Sequence, residues 1–270
     1  MNILVTLDRN YLHPLRVMLG SLYLNNPGEA FDVYLVGDGL TAEDLASLEA
    51  LCAPHGALHP VAVPEDLFAG APVVRYYSRA MYYRLLSAQL LPPTLDRVLY
   101  LDPDILVIGP VRPLYDTDLQ GALMAASIHR GLTDISSRVN RLRLDTPEAE
   151  GYFNSGVLVM DLDAMRHRMA PEEIFTYARE HADVLILPDQ DILNGLYGTR
   201  ILGVDDSVWN YDARRYDRYW LGSHGEKDMD WVMDHTVFLH FCGKNKPWSR
   251  GYEGHFSALY KHYQRLLGEV

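Results

Sequence analysis

Little in this chain can be oxidised, threaded through a membrane or laid along a phosphate backbone. There are two cysteines, Cys52 and Cys242, in 270 residues. Two do not make a disulfide framework, so a reducing compartment is expected. Cys242 is expected to be a small buried filler. No window approaches the ~20 apolar residues of a membrane span. The N-terminal run Ile3–Leu7 is halted by Asp8; it is too short for a signal-peptide core and lacks a basic start. Basic residues are outnumbered 24 to 36, for a net charge of −12. That balance argues against nucleic acid as a partner, because phosphate backbones need lysine and arginine stripes. It leaves room for an anionic small ligand held by a cation. No glycine-rich phosphate loop of Walker or dinucleotide type is present. Internal repeats, low-complexity segments and clear linkers are also missing. These absences lead to a soluble, cytoplasmic protein with at most weak peripheral contact with a membrane.

What is present is an alternation of strands and helices. Ile3–Leu7 is a continuous apolar run, as in a strand buried on both faces. Tyr11–Leu24 has helical spacing, and Asn25-Asn26-Pro27-Gly28 ends it. Phe31–Val36 reads as a strand and Ala42–Cys52 as a helix capped by Thr41. Leu58–Val63 is a further strand, and Ser78–Leu91 a helix closed by two prolines. Strands follow at Val98–Leu101, Ile105–Ile108, Leu123–Ile128, Gly156–Met160 and Val237–Phe241. Helices are predicted over Pro171–His181, Asp191–Tyr197 and Phe256–Leu267. The pattern is α/β, with a mostly parallel central sheet flanked by helices and a small helical and irregular C-terminal region. The division is 1–205 for the α/β part and 206–270 for the rest, in one continuous domain. Length allows a large core, with roughly three-quarters of the unfolded surface buried.

Ligands of such sheets bind beyond the carboxyl ends of strands, where Asp8, Asp102, Asp104 and Asp161 stand. Asp-x-Asp occurs five times, so the spacing alone says little. Context separates the pairs. Asp102 and Asp104 lie between two apolar runs, and in an extended segment both would point one way. Two anions ~4 Å apart repel by about 4 kcal/mol at an effective dielectric of ~20, so the pair wants a proton or a cation. A solvated turn is the bland alternative. Asp161 and Asp163 also follow a buried run, but Asp163 looks like a helix cap. Asp191 is read the same way, and the pairs 116/118 and 228/230 as loop.

A second segment carries complementary chemistry. Phe238-Leu239-His240-Phe241-Cys242-Gly243-Lys244-Asn245-Lys246-Pro247-Trp248 delivers an imidazole, a glycine and ammonium groups within a few residues. If His240 meets Asp102 and Asp104, the set is two carboxylates and one imidazole. Mixed oxygen and nitrogen ligation favours Mn²⁺ over Mg²⁺ or Ca²⁺, though Mg²⁺ stays open. Gly243 and Lys246 would suit a pyrophosphate beside it.

The ordered set of motifs is similar to a known family. The stretches are Val5-Thr6-Leu7-Asp8-Arg9-Asn10-Tyr11, Tyr83-Arg84-Leu85, Leu99-Tyr100-Leu101-Asp102-Pro103-Asp104, Phe153-Asn154-Ser155-Gly156-Val157, Asp189-Gln190-Asp191 and the His240–Trp248 segment. They resemble the retaining glycosyltransferases that include glycogenin and the bacterial lipopolysaccharide and lipooligosaccharide galactosyl- and glucosyltransferases. Pro103 replaces the usual small or aliphatic residue of the metal motif. The resemblance implies a glycosyltransferase A-type fold, a UDP-glucose or UDP-galactose donor and Mn²⁺. It implies a metal on Asp102, Asp104 and His240. Thr6, Asp8, Asn10 and Tyr11 would hold uridine and ribose. Gly243 and Lys246 would grip the diphosphate. Arg84, Asn154, Asp189 and Gln190 would surround the reacting sugar. The acceptor would be a glycan, glycolipid or protein.

Two other classes remain in view. A nucleotidyltransferase would show a glycine-rich basic loop after its first strand, where this chain reads Thr6-Leu7-Asp8-Arg9-Asn10. A non-catalytic sugar-nucleotide-binding protein would keep the binding positions without turnover. The aromatic stretch Trp209–Trp231 reads either as stacking platforms for an acceptor sugar or as a packed subdomain. The Phe256–Leu267 helix reads as docked on the domain or touching an anionic membrane. Val74–Ser78 and Gly243–Trp248 are expected to order over the donor.

Overall fold

The structure is a computed structural model that describes residues 1–68, 80–128, 143–144, 148 and 151–269. Ten strands are described: β1 Asn2–Asp8, β2 Phe31–Asp38, β3 Gly56–Pro60, β4 Arg97–Leu101, β5 Ile105–Val107, β6 Met124–Ile128, β7 Phe153–Asp161, β8 Ile201–Val204, β9 Tyr211–Asp212 and β10 Phe238–His240. Seven form the central sheet in the order β3-β2-β1-β4-β7-β6-β8. All neighbours are parallel except those of β7, which is antiparallel to β4 and β6. β5, β10 and β9 make a smaller second sheet.

Period-2 geometry sorts the apolar runs onto two covered faces. Leu4, Val98 and Tyr100 face one core with Tyr82, Tyr83 and Ile192. Ile3, Val5, Leu7, Leu99 and Leu101 face the other, against the Leu12–Leu24 helix. Both faces are buried, so these strands read as unbroken apolar runs rather than alternating ones. The second sheet has its own cluster, built on Leu106, Tyr211, Leu239, Phe241 and Phe256.

The odd strand direction makes the site. Because β7 runs against β4, its N-terminal residues lie beside the C-terminal end of β4, with Leu101 opposite Val157. The Asp102 backbone N–H donates to the Gly156 carbonyl at 2.8 Å. β10 is antiparallel to β5, with His240 opposite Ile105. The Phe241 N–H then donates to the Asp104 carbonyl at 3.0 Å. Backbone ladders of both sheets thus converge on the Asp102–Asp104 turn.

Several local expectations are corrected. The Ser78–Leu91 helix is two short helices, Ala80–Tyr83 and Ser87–Leu90; Arg84 lies in the turn between them. Residues 78 and 79, and the Val74–Ser78 loop, lie outside the described residues. The third strand is Gly56–Pro60, earlier than the Leu58–Val63 run. Asp161, not Asp163, caps the Leu162–Arg168 helix by accepting from the Ala164 N–H. Asp228 caps the Met229–His235 helix rather than sitting in a loop. Thr41 does cap Ala42–Cys52, within a reciprocal capping box with Asp44.

The Trp209–Trp231 stretch favours the packed alternative. Tyr211 is fully buried and stacks on Tyr219 at 4.1 Å. The C-terminal helix Ser257–Leu266 docks through buried Tyr260 and the preceding Phe256, and Leu267 packs on Gly20. Glu269 reinforces this by pairing with Arg16 at 2.5 Å. Among the described residues no helix is long and apolar enough to cross a membrane.

Candidate active site

A cleft of about 450 Å³ opens over the carboxyl end of β4. Arg84, Asp102, Asp104, Asn154, Asp189, Gln190, His240 and Gly243 line it. Thr6, Asp8, Asn10, Tyr11 and Lys246 do not line the cleft.

Asp102, Asp104 and His240 each offer an atom to one point, with all three atoms within 4.8 Å of one another. His240 Nε2 is 3.2 Å from Asp104 Oδ1 and 3.7 Å from Asp102 Oδ2. Its other nitrogen, Nδ1, is 2.9 Å from the Asn210 amide oxygen. Accepting that hydrogen bond fixes the tautomer and leaves Nε2 turned to the carboxylates. Burial disfavours a charged imidazole, yet Cys242 and Asp104 beside it raise the His240 pKa well above the usual value. Burial likewise pushes the Asp104 carboxyl up, but His240 and Lys246 outweigh it and hold the carboxyl well below the ordinary range.

Lys246 stands where sequence reasoning placed a phosphate-binding group, but its ammonium points inward. It pairs with Asp104 and donates to the Phe241 carbonyl at 2.9 Å. Gly156 gives the site its close packing. A Cβ there would lie 2.3 Å from His240 Cε1 and 2.7 Å from Asp102 Oδ2. Only a glycine lets the strand pass beneath the ligand set.

The opposite wall is a side-chain network. The buried guanidinium of Arg84 reaches Asp102 at 3.0 Å, Asp189 at 3.1 Å and the Ser155 carbonyl at 2.9 Å. The Asp189 approach is an ion pair without hydrogen-bond geometry, since Arg84 Nε has no hydrogen-bond partner. Burial works against the Arg84 charge, and Asp102, Tyr100 and Asp189 more than restore it. Tyr100 donates to Asp102 at 2.6 Å, and Thr6 lies 3.1 Å from the Tyr100 hydroxyl. Thr6 therefore supports Asp102 through Tyr100.

Asn210 and Asn154 extend this network to Gln190. Asn210 Nδ2 donates to Asn154 Oδ1 at 2.8 Å, and Asn154 Nδ2 donates to Gln190 Oε1 at 3.0 Å. The Ser155 N–H adds a second donor to the same oxygen at 3.3 Å. Two amides, Asn210 and Asn154, thus connect the imidazole to Gln190. Sequence reasoning missed Asn210; an asparagine just before the short strand that pairs with β10 was its only signal.

Asp191 was expected as a helix cap, and Leu187 takes that position instead. Asp191 is fully buried and accepts a bidentate fork from Arg143 at 2.7 and 3.0 Å. Tyr152 and two backbone N–H groups complete it. This anchors the helix that carries Asp189 and Gln190. Cys242 is not a buried filler, because it is partly exposed and lines the cleft.

Outside the cleft, Asp8 caps the short turn Arg9–Tyr11 by accepting from the Asn10 N–H at 2.8 Å. Asn10 is exposed. Tyr11 packs edge-on against Trp248 with ring centres 6.0 Å apart, tying the β1 end to the Gly243–Trp248 loop. Burial and the carboxylates of Asp104, Asp102 and Asp8 raise the Tyr11 phenol, against the opposing Lys246.

This fold and site define a sugar-transfer enzyme. The chain belongs to glycosyl transferase family 8, whose sequence profile matches residues 2–251. It is 28% identical to the lipopolysaccharide 1,2-glucosyltransferase of Escherichia coli K12, over 93% of this chain and 73% of that protein. It is 26% identical to general stress protein A of Bacillus subtilis, over 97% and 92% respectively. Among solved structures it resembles the galactosyltransferase LgtC in complex with donor and acceptor sugar analogues. That similarity has a TM-score of 0.79 at 27% identity, covering 100% of this chain and 96% of that one.

Proposed function

We propose that the protein moves a hexose, glucose or galactose, from a UDP-sugar to a glycan, glycolipid or protein acceptor, with retention of anomeric configuration and dependence on Mn²⁺. The observation that carries this reading is the meeting of Asp102, Asp104 and His240 at one point, opposite the Arg84–Asn154–Gln190 wall. The donor set fits a divalent cation. Two carboxylates share a half-desolvated place, and Asn210 holds the imidazole with Nε2 free for ligation. When bound, the metal would act as a Lewis acid that neutralises the charge growing on the leaving diphosphate.

The protein's own groups supply the rest. Asp8, Asn10 and Tyr11, at and just after the end of β1, would hold uridine and ribose, with Thr6 hydrogen-bonded to Tyr100. Gly243 allows close backbone approach to the diphosphate, with φ of +85°. Lys246 adds a second positive charge for that group. Arg84 and Asn154 would orient the sugar. Positive charge preorganised where negative charge develops lowers the barrier without reorganisation.

For retention the local bonds favour front-face attack over two displacements. Gln190 Oε1 already accepts two hydrogen bonds, and an amide is a weak nucleophile. Asp189 is a better one, but Arg84 ties it down.

The lipopolysaccharide 1,2-glucosyltransferase relative and a lipopolysaccharide 1,3-galactosyltransferase of Salmonella typhimurium support a lipopolysaccharide-type acceptor. A donor screen with UDP-glucose, UDP-galactose and their N-acetyl forms tests the reading, monitored as Mn²⁺-dependent UDP release. Release with one hexose donor is expected. Tight UDP binding without release from any donor, with or without lipooligosaccharide acceptor, would establish a binding module instead.

A further inference from the structure

A second cavity of about 510 Å³ lies on the other side of the loop that follows His240. Arg214 lines both this cavity and the donor cleft, so the two adjoin. The chain carries a net charge of −12, yet the wall here is cationic. Arg214, Lys244, Lys246 and Arg250 line it, against one acid, Glu253.

The state of those cations separates them from most of the molecule's charged groups. Lys246 is committed to Asp104. Arg214 spends Nε and Nη2 on Asp212 at 2.9 and 2.7 Å, which holds the guanidinium rigid. Its Nη1 lies over Gly243, where a Cβ would be 2.5 Å away, and it makes no hydrogen bond among the described residues. Lys244 and Arg250 are exposed and have no ion-pair partner among the described residues. Ser249 and Tyr252 bring hydroxyls to the same wall. A fixed guanidinium edge, two free cations and two hydroxyls surround a space large enough for a sugar phosphate. Such a set matches a tetrahedral dianion with several acceptor oxygens better than a planar carboxylate.

We propose that this cavity is an acceptor subsite that binds a phosphomonoester carried on the acceptor sugar. The proposal rests on the transferase reading above and supplies the acceptor chemistry which that reading leaves open. Lys246, paired with Asp104, is assigned to the donor's diphosphate, so the cations left for the second cavity are Arg214, Lys244 and Arg250. Exposed Lys244 and Arg250 can be replaced without disturbing a buried contact.

The test is glucose 6-phosphate binding followed by phosphorus NMR line broadening, in the presence of saturating UDP and Mg²⁺. Wild-type protein is expected to bind the probe with UDP in place, and to bind neither glucose nor glucuronate comparably. The double variant Lys244→Ala/Arg250→Ala is expected to bind it about tenfold more weakly or worse, as loss of charge-assisted hydrogen bonds does. Its acceptor-free, Mn²⁺-dependent UDP release should be unchanged. No binding by wild type, displacement by UDP, equal binding of glucuronate, or equal binding by the double variant would each overturn the subsite. Loss of UDP release in the double variant would also overturn it, by assigning these cations to the donor. Failure of the transferase reading is a different result: wild type would then release no UDP at all, whatever the probe does.

Discussion

The floor of the cleft and the loop that follows His240 are built by opposite means. The floor, with Asp102, Asp104, His240 and Gly156, is fixed by strand register from two sheets and is largely buried. The Gly243–Gly254 segment has two turn bonds in its backbone. Lys246 and Pro247 are buried, but most of its other residues are exposed, and Lys244 and Arg250 have no ion-pair partner among the described residues. A register-held floor can place ligand atoms to within tenths of an ångström, as a metal demands. A segment held by few buried contacts can shift with its ligand at small cost. On the transferase reading proposed above, the difference would divide the work: reaction chemistry in the floor, substrate identity in the loop.

The sharpest way to break the comparison is to make one substitution on both sides. On the floor, Gly156→Ala puts a methyl against His240 and Asp102 from a strand that cannot retreat, because its N- and C-terminal flanks are laddered to β4 and β6. Overpacking of this kind costs about 1–3 kcal/mol, and a ligand displaced by about 1 Å can cost ~100-fold in rate. UDP release is expected to fall by about that factor, with Mn²⁺ affinity falling alongside. Near wild-type turnover would show that the floor is as adaptable as the loop.

Lys246→Ala is next. It leaves Asp104 with His240 but without its ammonium partner. Breaking a buried pair by removing one side costs up to about 3–5 kcal/mol, and less here because His240 remains. Thermal unfolding of the metal-free protein should drop by several degrees, and excess Mn²⁺ should restore most of it. UDP-sugar turnover should fall even in saturating Mn²⁺. A melting temperature that ignores Mn²⁺ in this variant would separate Lys246 from the metal ligands.

How much of this was legible in the chain follows the same division. Asp102, Asp104 and His240 could be found because buried apolar runs deliver them, and a strand end is readable from its run. The mostly parallel sheet followed from the same runs. Arg84 was placed on a helix because its neighbours keep helical spacing; its contacts with Asp102, Ser155 and Asp189 in a turn are not encoded by that spacing. Asn210, Asp191 and Gly156 were harder. Their roles depend on partners 30, 48 and 84 positions away in sequence, in contacts that no local period encodes. Lys246 was found, but its present partner was not, because an ammonium on a four-carbon stem can serve Asp104 or a phosphate equally well.

Asn210→Ala tests whether the floor's precision extends beyond its ligands. Asn210 is fully buried and bonds both His240 and Asn154. Removing it strands an imidazole N–H, at about 1–3 kcal/mol of stability, while Asn154 Oδ1 keeps the Gly156 N–H as a donor. Loss of an outer partner of a ligating histidine typically weakens metal binding ~10–100-fold. A Mn²⁺ titration by electron paramagnetic resonance should show that loss, with Asn210→Asp recovering part of it. Unchanged Mn²⁺ affinity would confine the floor to its three ligands.

The smallest effect is expected from the companion glycine in the loop. Gly243→Ala meets two obstacles: a φ of +85° and an Arg214 nitrogen 2.5 Å from the new Cβ. A left-handed alanine costs about 1–2 kcal/mol where the backbone stays put. Here it need not stay put, because Gly243, Lys244 and Asn245 are exposed and the clashing atom is the end of a side chain. The Asp212 fork keeps Arg214 in place, so the exposed turn relaxes instead. The donor KM should rise by only a few-fold, with kcat and melting temperature nearly unchanged. The same methyl would then separate floor and loop by more than an order of magnitude in rate. If Gly243→Ala instead matched Gly156→Ala, the loop would be as rigid as the floor, and the exposed cations beyond it would be fixed parts of the site.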